Sequence, residues 1–392
     1  MELIEVFKDL KSRSGSHSPS IEELKRILGV EIKIDACFLS NPYATELFID
    51  HLNNQVIKNG RLRDLLEFYP QQNNDIALIL GNHLNIDSEL IFAGNGAIEI
   101  IQGVLHRFIR NSIAIPIPTF SSYYEFVSDG CTVFEYNLKE SENFALNLKD
   151  YGEFIRANRI QNAVIINPNN PDGGYVDHSS IVSFLEEFKD LESIIIDESF
   201  SHFAYENVDL SRHSIESLVV LYPNLIIIKS MSKDFGIAGI RAGYGIMSRN
   251  RRNILLKNGY LWNLNGLATY FFRLYCTEDF QRKYEIVRKK YIWNTLMFIN
   301  ELQLIDHIHI IPSRANFVLL KMEGLSSDFL MITLLKDFGI YVRDCSDKIG
   351  LGPGYVRVAS RTFEENQAIY TALSVISKKY IRSQQQGRFD EK

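Results

Sequence analysis

Residues 230–244 have the sequence SMSKDFGIAGIRAGY and follow the apolar run 225–228, which predicts a buried strand. This arrangement delivers Lys233 into a loop at the end of that strand. Hydroxyls stand nearby at Ser230 and Ser232, and a guanidinium follows eight residues after the lysine, at Arg241. A lysine amine forms a Schiff base with an aldehyde, and hydroxyls together with a guanidinium hold a phosphate dianion. The segment therefore suits a ligand that carries both an aldehyde and a phosphate.

Pyridoxal 5'-phosphate is a cofactor with both groups, and its pyridine ring makes further demands on a protein. A carboxylate beside the ring nitrogen keeps that nitrogen protonated, so that the ring can accept electrons. Asp197 ends the apolar run 194–196 and can supply this carboxylate. Asn170 follows another apolar run, 163–166, in a turn of Asn, Pro and Gly. Asn170, Asp197 and Lys233 therefore all lie after apolar runs, where open α/β sheets place their ligands.

Each of these residues, taken alone, also has an ordinary structural explanation. A lysine after a strand is usually solvated, and an asparagine before a proline often holds a turn. An aspartate at the end of a strand can cap the following helix. The order and spacing of the three segments favour a shared site over three separate structural roles.

A second contact for the phosphate is predicted at the start of a helix. The apolar run 90–93 is followed by the turn GNG and then by a helical pattern. At such a junction the backbone amides of Gly96, Ala97 and Ile98 lack partners within the helix and can point at an anion. A glycine turn alone is weak evidence, but it adds to the phosphate contacts predicted around Lys233.

The segments around Asn170, Asp197 and Lys233 together resemble the pyridoxal-phosphate signatures of class I/II aminotransferases, a family of fold type I. The resemblance implies that Lys233 binds the cofactor and moves a proton, that Asp197 holds the ring nitrogen and that Asn170 hydrogen-bonds the ring hydroxyl. In the segment PTFSSYY, Phe120 corresponds to the aromatic residue that stacks on the ring, with an ordinary core aromatic as the alternative. The residues implied to hold the cofactor phosphate are Gly96, Ala97, Ile98, Ser230, Ser232 and Arg241.

The resemblance extends to both ends of the chain. Asn41 and Tyr43, in an N-terminal NPY segment, correspond to residues that line the substrate pocket of histidinol-phosphate aminotransferases. Tyr69 corresponds to the tyrosine that reaches the cofactor phosphate of the neighbouring subunit, which implies a homodimer. Near the C-terminus, Arg357 is implied to hold the acidic group of the substrate, with Arg343 on the pocket wall. A guanidinium suits carboxylate and phosphate alike, and either arginine could instead be a solvated charge at a strand edge.

The reaction type stays open at this point, because one cofactor supports several chemistries and the fold does not choose between them. Many aminotransferases carry a tyrosine where this chain has Phe200, and a phenyl ring cannot donate the hydrogen bond of that hydroxyl. Phe200 and the segments around Arg343 and Arg357 are more similar to threonine-phosphate decarboxylases. A neutral change within an aminotransferase explains Phe200 equally well.

We therefore prefer an aminotransferase that acts on a small amino-acid or phosphorylated amine substrate. The alternative is an amino-acid O-phosphate decarboxylase of the threonine or serine phosphate type. A non-enzymatic regulator with an aminotransferase-like domain ranks below both, because the chain has no basic patch that would indicate a DNA-binding module.

Composition restricts which binding partners and which cellular compartment are expected. The chain has 392 residues and a formal net charge of −6, which favours a small-molecule substrate and no nucleic-acid partner. Its four cysteines form no C-x-x-C pair, so neither a zinc site nor a disulfide framework is indicated, and a reducing cytoplasm is expected. No apolar stretch approaches the ~20 residues that a membrane helix needs.

Apolar runs that alternate with helical patterns between residues 75 and 250 predict a mostly parallel sheet covered by helices on both faces. The expected fold is α/β, and the resemblance implies a fold-type I PLP-dependent transferase with a large lobe and a small α/β lobe. We assign residues 1–50 to an N-terminal arm and part of the small lobe, 51–290 to the large PLP-binding lobe and 291–392 to the C-terminal small lobe. A helical pattern over 279–302 is expected to link the lobes.

Overall fold

A computed structural model of the protein describes residues 2–13, 18–257 and 259–390. The strands are β1 (Ile34–Ala36), β2 (Ile91–Asn95), β3 (Ser112–Ile117), β4 (Thr132–Asn137), β5 (Asn162–Ile166), β6 (Ser193–Asp197), β7 (Leu225–Ser230), β8 (Ala242–Ile246), β9 (Ile308–Ile311), β10 (Phe317–Met322), β11 (Ile340–Asp344) and β12 (Tyr355–Ala359). The α-helices are α1 (Glu2–Arg13), α2 (Ile21–Leu28), α3 (Pro42–His51), α4 (Leu62–Glu67), α5 (Asn73–Leu84), α6 (Ala97–Phe108), α7 (Ser122–Glu125), α8 (Leu148–Ala157), α9 (His178–Glu187), α10 (Arg249–Lys257), α11 (Gly266–Tyr275), α12 (Glu278–Leu302), α13 (Ser327–Phe338) and α14 (Phe363–Asp390). A π-helix covers Leu52–Ile57, and short 3-10 helices cover Ser88–Leu90, Glu140–Glu142, Glu216–Val220 and Ala238–Ile240.

The chain divides into two compact units. The small unit comprises Met1–Leu39, Pro171–Gly173 and Tyr291–Lys392. The large unit comprises Ser40–Asn170 and Gly174–Lys290. The helical pattern predicted over 279–302 corresponds to α12, along which the chain passes from the large unit to the small one.

The large unit is built on a seven-stranded sheet with the strand order β2-β8-β7-β6-β5-β3-β4. All pairs from β7 to β4 are parallel, whereas β8 runs antiparallel to both of its neighbours, β7 and β2. The prediction of a mostly parallel sheet is confirmed. The antiparallel β8 has a simple cause, because the segment between β7 and β8 contains no helix long enough for a parallel crossover.

Successive side chains of the central strands alternate between two hydrophobic cores. Ile194 and Ile196 of β6 pack into one core with Phe184 of α9, whereas Ile195 packs into the other with Val104 of α6. The alternation follows from the pleat of the strand. Every residue of β6 and β7 is buried, so the sheet is covered on both faces, as the sequence predicts.

The small unit contains a five-stranded sheet with the strand order β1-β11-β12-β10-β9. β1 is parallel to β11, and the other pairs are antiparallel. Helices pack against this sheet through buried side chains such as Phe7 of α1, Leu24 of α2, Leu334 of α13 and Leu373 of α14. The unit therefore has the α/β character expected of it.

Membrane-spanning helices, metal sites and free thiols can also be assessed for the described ranges. None of their helices is both long and apolar enough to cross a membrane. No group of His, Cys, Asp and Glu side chains in these ranges is arranged to hold a metal ion. Cys37 and Cys345 are buried free thiols, and Cys131 and Cys276 are half-buried free thiols.

Candidate active site

The carboxyl ends of β5, β6 and β7 meet at one edge of the large sheet. The register pairs Ile166 with Asp197 and Asp197 with Ile228, so the three strands end side by side. The amide of Asn167 donates to the carbonyl of Asp197 at 2.9 Å, which continues this alignment into the loop after β5. The loops that carry Asn170, Asp197 and Lys233 therefore begin at one edge, where parallel sheets place ligands.

Asp197 is a buried carboxylate whose two oxygens both accept hydrogen bonds. Its side chain is 3% exposed. Oδ2 accepts from the hydroxyl of Tyr123 at 2.8 Å, and Oδ1 accepts from the backbone amide of Ser199 at 2.8 Å. Burial raises the pKa of Asp197, and the hydrogen bonds from Ser199 and Tyr123 partly offset that rise. The carboxylate is thus held in one orientation, ready to face a cationic N–H group.

Sequence reasoning missed Tyr123, although it lies in the same PTFSSYY segment as Phe120. Tyr123 is fully buried, and burial raises the pKa of its phenol well above the usual range, with the charge of Asp197 as the second cause. The hydroxyl of a buried tyrosine usually has a hydrogen-bond partner, but the sequence does not identify that partner. The side chain of Phe120 is half-buried.

The N-terminus of α6 and the guanidinium of Arg241 lie against each other. Gly96, the N-cap of α6, has φ 80° and provides no side-chain cap. A Cβ at Gly96 would collide with Nη2 of Arg241, and a Cβ at Gly243 would lie 2.6 Å from the amide nitrogen of Ala97. Glycine is therefore required where the guanidinium meets the helix. Two positive groups, the helix terminus and the guanidinium, converge there and fit a phosphate.

The serines before Lys233 belong to the same edge. Ser230 is the last residue of β7 and is 6% exposed, and Ser232 is 3% exposed. The amide of Ser232 donates to Oγ of Ser230 at 3.3 Å. Ser230 pairs across the sheet with Gly243, which in turn packs on the first turn of α6. The predicted phosphate residues of the large unit are thus neighbours in the fold.

The loop after Lys233 is clamped by the first turn of α3. The amide of Asn41 donates to the carbonyl of Lys233 at 3.0 Å, and Nδ2 of Asn41 donates to the carbonyl of Asp234 at 3.3 Å. Oγ1 of Thr45 donates to the carbonyl of Gly236 at 2.9 Å. The loop therefore has a fixed backbone, and Lys233 itself is half-buried within it.

Asn41 and Tyr43, both predicted substrate contacts, have structural contacts of their own. Oδ1 of Asn41 caps α3 by accepting from the amides of Tyr43 and Ala44, at 3.1 and 3.3 Å. The ring of Tyr43 lies under the ammonium of Lys290, at 4.4 Å from the ring centroid. Their contact with a substrate stays a prediction.

A network of buried ionisable groups lies behind this loop. Nδ1 of His202 is 3.0 Å from the hydroxyl of Tyr284 and 3.4 Å from Oδ2 of the fully buried Asp234. Burial raises the pKa of Asp234 to about 7, and burial lowers that of His202 well below its usual range. Nζ of Lys229 lies 3.8 Å from Oε2 of Glu198. The sequence signal for this network is Lys229, a charged residue inside an apolar strand.

The loops after β3 and β5 are tied together. Nδ2 of Asn169 donates to the carbonyl of Pro118 at 3.0 Å, and Oδ1 of Asn169 accepts from Thr119 at 2.8 Å. These bonds connect the loop of Asn170, which is 8% exposed, to the loop of Phe120. The predicted ring ligands therefore lie on adjoining loops.

Tyr69 lies on an exposed segment of the large unit. It is 80% exposed, and its ring stacks on Trp262 with the centroids 4.7 Å apart. The segment borders an open cavity of about 500 Å³. The residues that line this cavity are Leu65 to Pro70, Gly239, Ile240 and Asn265 to Leu267.

Arg343 and Arg357 lie on neighbouring interior strands of the small unit. The register of β11 and β12 places them directly opposite each other. Arg343 is 5% exposed, and its Nη2 is 2.6 Å from Oδ2 of Asp347. Nη2 of Arg357 donates to the carbonyl of Cys37 at 2.8 Å. A solvated charge at a strand edge is therefore the wrong description of either arginine.

Residues 52–373 match the family model described as aminotransferase class I and II. The chain belongs to this family. It is 48% identical over 378 residues to a protein of Campylobacter jejuni named L-serine phosphate decarboxylase, covering 96% of this chain and 97% of that protein. It is 44% identical over 379 residues to the L-serine phosphate decarboxylase of Sulfurospirillum multivorans, with the same two coverages. A solved structure of a decarboxylase from Sulfurospirillum multivorans superimposes with a TM-score of 0.93 at 44% identity, covering 96% of both chains. The predicted family and fold are confirmed.

Substituting Gly236 tests the clamp on the Lys233 loop. A Cβ there would collide with Oγ1 of Thr45 and the carbonyl of Asn41, and Gly236 has φ 62°. We expect overpacking in Gly236→Ala to lower the free energy of unfolding in urea by about 1–3 kcal/mol. This loss adds to the cost of placing an alanine at a positive φ. Gly29→Ala is the matched control, because Gly29 also has φ 62° and no neighbouring atom within 4 Å. Equal losses in the two variants would contradict the clamp.

Proposed function

We propose that the protein is a pyridoxal 5'-phosphate-dependent decarboxylase of an amino-acid O-phosphate and that its substrate is O-phospho-L-serine. Near full-length similarity to two proteins named L-serine phosphate decarboxylase carries this proposal. It selects the reaction that the sequence analysis holds as its alternative, in preference to transamination. Phe200, which is buried where many aminotransferases have a tyrosine, supports the same choice.

The residues of the large unit fit the cofactor. When bound, pyridoxal 5'-phosphate supplies an electron sink for the pair released at the substrate α-carbon. We assign Lys233 to covalent attachment, Asp197 to the ring nitrogen and Asn170 to the ring hydroxyl, with Phe120 stacked on the ring. The proposed phosphate ligands are Gly96, Ala97, Ile98, Ser230, Ser232 and Arg241, together with Tyr69 from the neighbouring subunit.

The environment of Asp197 supports its assignment. A buried carboxylate is costly unless a cation or several hydrogen bonds compensate it. Tyr123 and Ser199 supply two hydrogen bonds, and both hold the carboxylate rigidly without neutralising its charge. A protonated ring nitrogen would complete the compensation, and the fixed orientation means that no reorganisation is needed as charge develops on the ring.

The reaction places two demands on the chain. Decarboxylation breaks the bond between the α-carbon and the carboxylate carbon, releases CO2 and leaves the electron pair at the α-carbon. A proton must then reach that carbon, which yields O-phosphoethanolamine. We assign this proton delivery to the Lys233 amine once the substrate amine has released it. The backbone clamp by Asn41 and Thr45 keeps the loop, and hence that amine, in one place.

Substrate recognition is assigned to four residues. Tyr43, Arg343 and Arg357 are the proposed substrate contacts, and Asn41 adds a contact to its structural role. The arginines suit an anionic substrate because a guanidinium pairs with carboxylate and phosphate alike. The large unit is the proposed PLP-binding lobe.

We further propose a homodimer in the cytoplasm. Leu66, Phe68 and Tyr69 are 70%, 63% and 80% exposed, an apolar patch that a monomer has no reason to keep in water. A second copy that covers this patch would bring Tyr69 to the neighbouring cofactor phosphate. The four free thiols favour a reducing compartment.

An assay of released CO2 tests the reaction. Purified holoenzyme is incubated with O-phospho-L-serine, O-phospho-L-threonine and unphosphorylated L-serine, each with and without a keto-acid acceptor. We expect stoichiometric CO2 and O-phosphoethanolamine from O-phospho-L-serine, independent of the acceptor, and none from Lys233→Ala. Borohydride reduction followed by peptide mapping should find the cofactor on Lys233. Conversion of the cofactor to its amine form without CO2 would establish transamination instead.

Removing the charge of Asp197 tests its role at the ring nitrogen. An asparagine can still accept from the amide of Ser199 and can donate from its own amide nitrogen to the hydroxyl of Tyr123, but it has no charge to stabilise a protonated nitrogen. We expect Asp197→Asn to bind the cofactor but to have an activation free energy about 3 kcal/mol higher. This increase lowers kcat roughly a hundredfold. Tyr123→Phe, which removes one hydrogen bond and keeps the charge, should lose less. Full turnover of Asp197→Asn would refute the assignment.

Hybrid dimers test whether the sites are shared between subunits. Lys233→Ala lacks the cofactor lysine, and Tyr69→Phe lacks the phenol that should reach the partner's phosphate. We expect co-refolded mixtures to recover about a quarter of wild-type sites, because random pairing makes half of the dimers hybrid and each hybrid has one intact site. A fully active monomer, or a mixture no more active than its components, would exclude a shared site.

A further inference from the structure

Asp234, the residue after Lys233, is a buried carboxyl group that the proposed reaction does not use. It is fully buried, and within the described ranges neither of its side-chain oxygens has a hydrogen-bond partner. By contrast, the buried Asp197 accepts two hydrogen bonds. An ionised carboxylate without donors is among the most costly groups to bury. The surroundings of Asp234 therefore favour a neutral carboxylic acid.

His202 faces Asp234 and can share its proton. Nδ1 of His202 lies 3.4 Å from Oδ2 of Asp234 and 3.0 Å from the hydroxyl of Tyr284. A proton on Oδ2 turns the first contact into an O–H···N hydrogen bond when Nδ1 is the unprotonated nitrogen of the ring. Burial lowers the pKa of His202 well below its usual range, with the charge of Lys229 as the second cause, so the imidazole is neutral and can accept.

The charges around Asp234 do not pair with it. The titratable and charged groups that face it are Lys229 of β7, Glu198, His202 and Arg212 of the loop after β6, and Tyr284 and Arg288 of α12. Each cation has another partner, since Lys229 lies 3.8 Å from Glu198, and Arg288 and Arg212 contact Glu285 at 2.7 and 3.6 Å. Burial outweighs these cations and raises the pKa of Asp234 to about 7.

The backbone around Asp234 connects this buried group to Lys233. Asn41 donates from Nδ2 to the carbonyl of Asp234 at 3.3 Å and from its amide to the carbonyl of Lys233 at 3.0 Å. The next residue, Phe235, is 1% exposed, and its ring centroid is 4.3 Å from that of Tyr284. Asp234 therefore cannot leave the interior without moving the backbone that carries the lysine.

We propose that Asp234 is a neutral acid that donates its proton to His202 and that this hydrogen bond positions Lys233. The role rests on the proposed function, in which Lys233 attaches the cofactor and delivers a proton. Asp234 is a positioning residue, because it acts through the loop and not on the substrate. Loss of its proton leaves an ionised carboxylate without donors in the interior, which destabilises the loop. A small displacement of a reacting group is enough to slow a reaction strongly.

The first test compares two substitutions in the holoenzyme. Asp234→Asn keeps the shape, is neutral at every pH and can donate to His202, whereas Asp234→Ala removes the donor. At a pH of about 6, we expect Asp234→Asn to turn over O-phospho-L-serine within about twofold of the wild type and Asp234→Ala to lose tenfold or more. As the pH rises through about 7, the wild type should lose turnover relative to Asp234→Asn, because only the wild type ionises there. Asp234→Asn as impaired as Asp234→Ala would overturn the proposal, since the negative charge would then be required.

The second test detects the neutral acid without an activity assay. The infrared difference spectrum between wild type and Asp234→Asn, at a pH of about 6, should contain the C=O stretch of a protonated carboxyl group. Asp234→Asn should also melt above the wild type by a margin that widens as the pH rises from about 5 to about 8, because the folded wild type holds a proton that the unfolded chain releases. Asp129→Asn, at an exposed turn of the same unit, is the matched control, and its margin should not change with pH.

The outcomes separate the positioning role from the proposed reaction. Absence of the carboxyl band, or a margin that is constant with pH, would overturn the neutral acid. Full turnover of Asp234→Ala would overturn the positioning of Lys233. A protein with both signals that releases no CO2 from O-phospho-L-serine would reject the decarboxylase and keep the neutral acid. In that case borohydride labelling of Lys233 tests the positioning, and equal labelling of Asp234→Ala and Asp234→Asn would reject it.

Discussion

The parallel register of β5, β6 and β7 determines where the candidate site can lie. Each strand is buried along its whole length, and a run of apolar side chains fills its middle, so polar groups lie towards its ends. Because Ile166, Asp197 and Ile228 are aligned across the sheet, the three loops that follow start at one edge. A one-residue shift of β6 would exchange the faces of all its side chains and would remove Asp197 from this edge.

Buried charge is compensated differently in the two units. In the large unit, Asp197 has two hydrogen bonds, and Glu198 accepts from Ser214 and from the amide of Ile215 at 2.6 and 2.9 Å. These groups rigidify the protein around the ligand. In the small unit, the buried Lys11 contacts Asp344 at 2.5 Å, and Arg343 contacts Asp347 at 2.6 Å. Ion pairs thus compensate these buried charges in the small unit, whereas neutral hydrogen-bond donors hold Asp197.

Local signals account for the parts of the site that the sequence predicts. The apolar runs, the glycine turn before α6 and the lysine after β7 are all contiguous in the chain, and each one places its own polar residue at a strand end. The contact of Tyr123 with Asp197 and the clamp of Asn41 on Lys233 join residues 74 and 192 positions apart in the sequence. Such pairs depend on how loops pack, and hydrophobic periodicity carries no information about that packing. The opposition of Arg343 and Arg357 likewise depends on the register of two strands, which the sequence of neither strand specifies.

The choice between transamination and decarboxylation is a choice of which bond at the α-carbon is held perpendicular to the ring, and the fold serves both. The anchoring groups decide it, since they set the orientation of the substrate. An aminotransferase can hold the substrate carboxylate in a guanidinium fork, because that group survives the reaction. If a decarboxylase held its leaving carboxylate as firmly, it would stabilise the ground state more than the transition state and so raise the activation barrier. A phosphorylated substrate resolves this conflict, because its dianion offers a second anchor far from the reacting carbon.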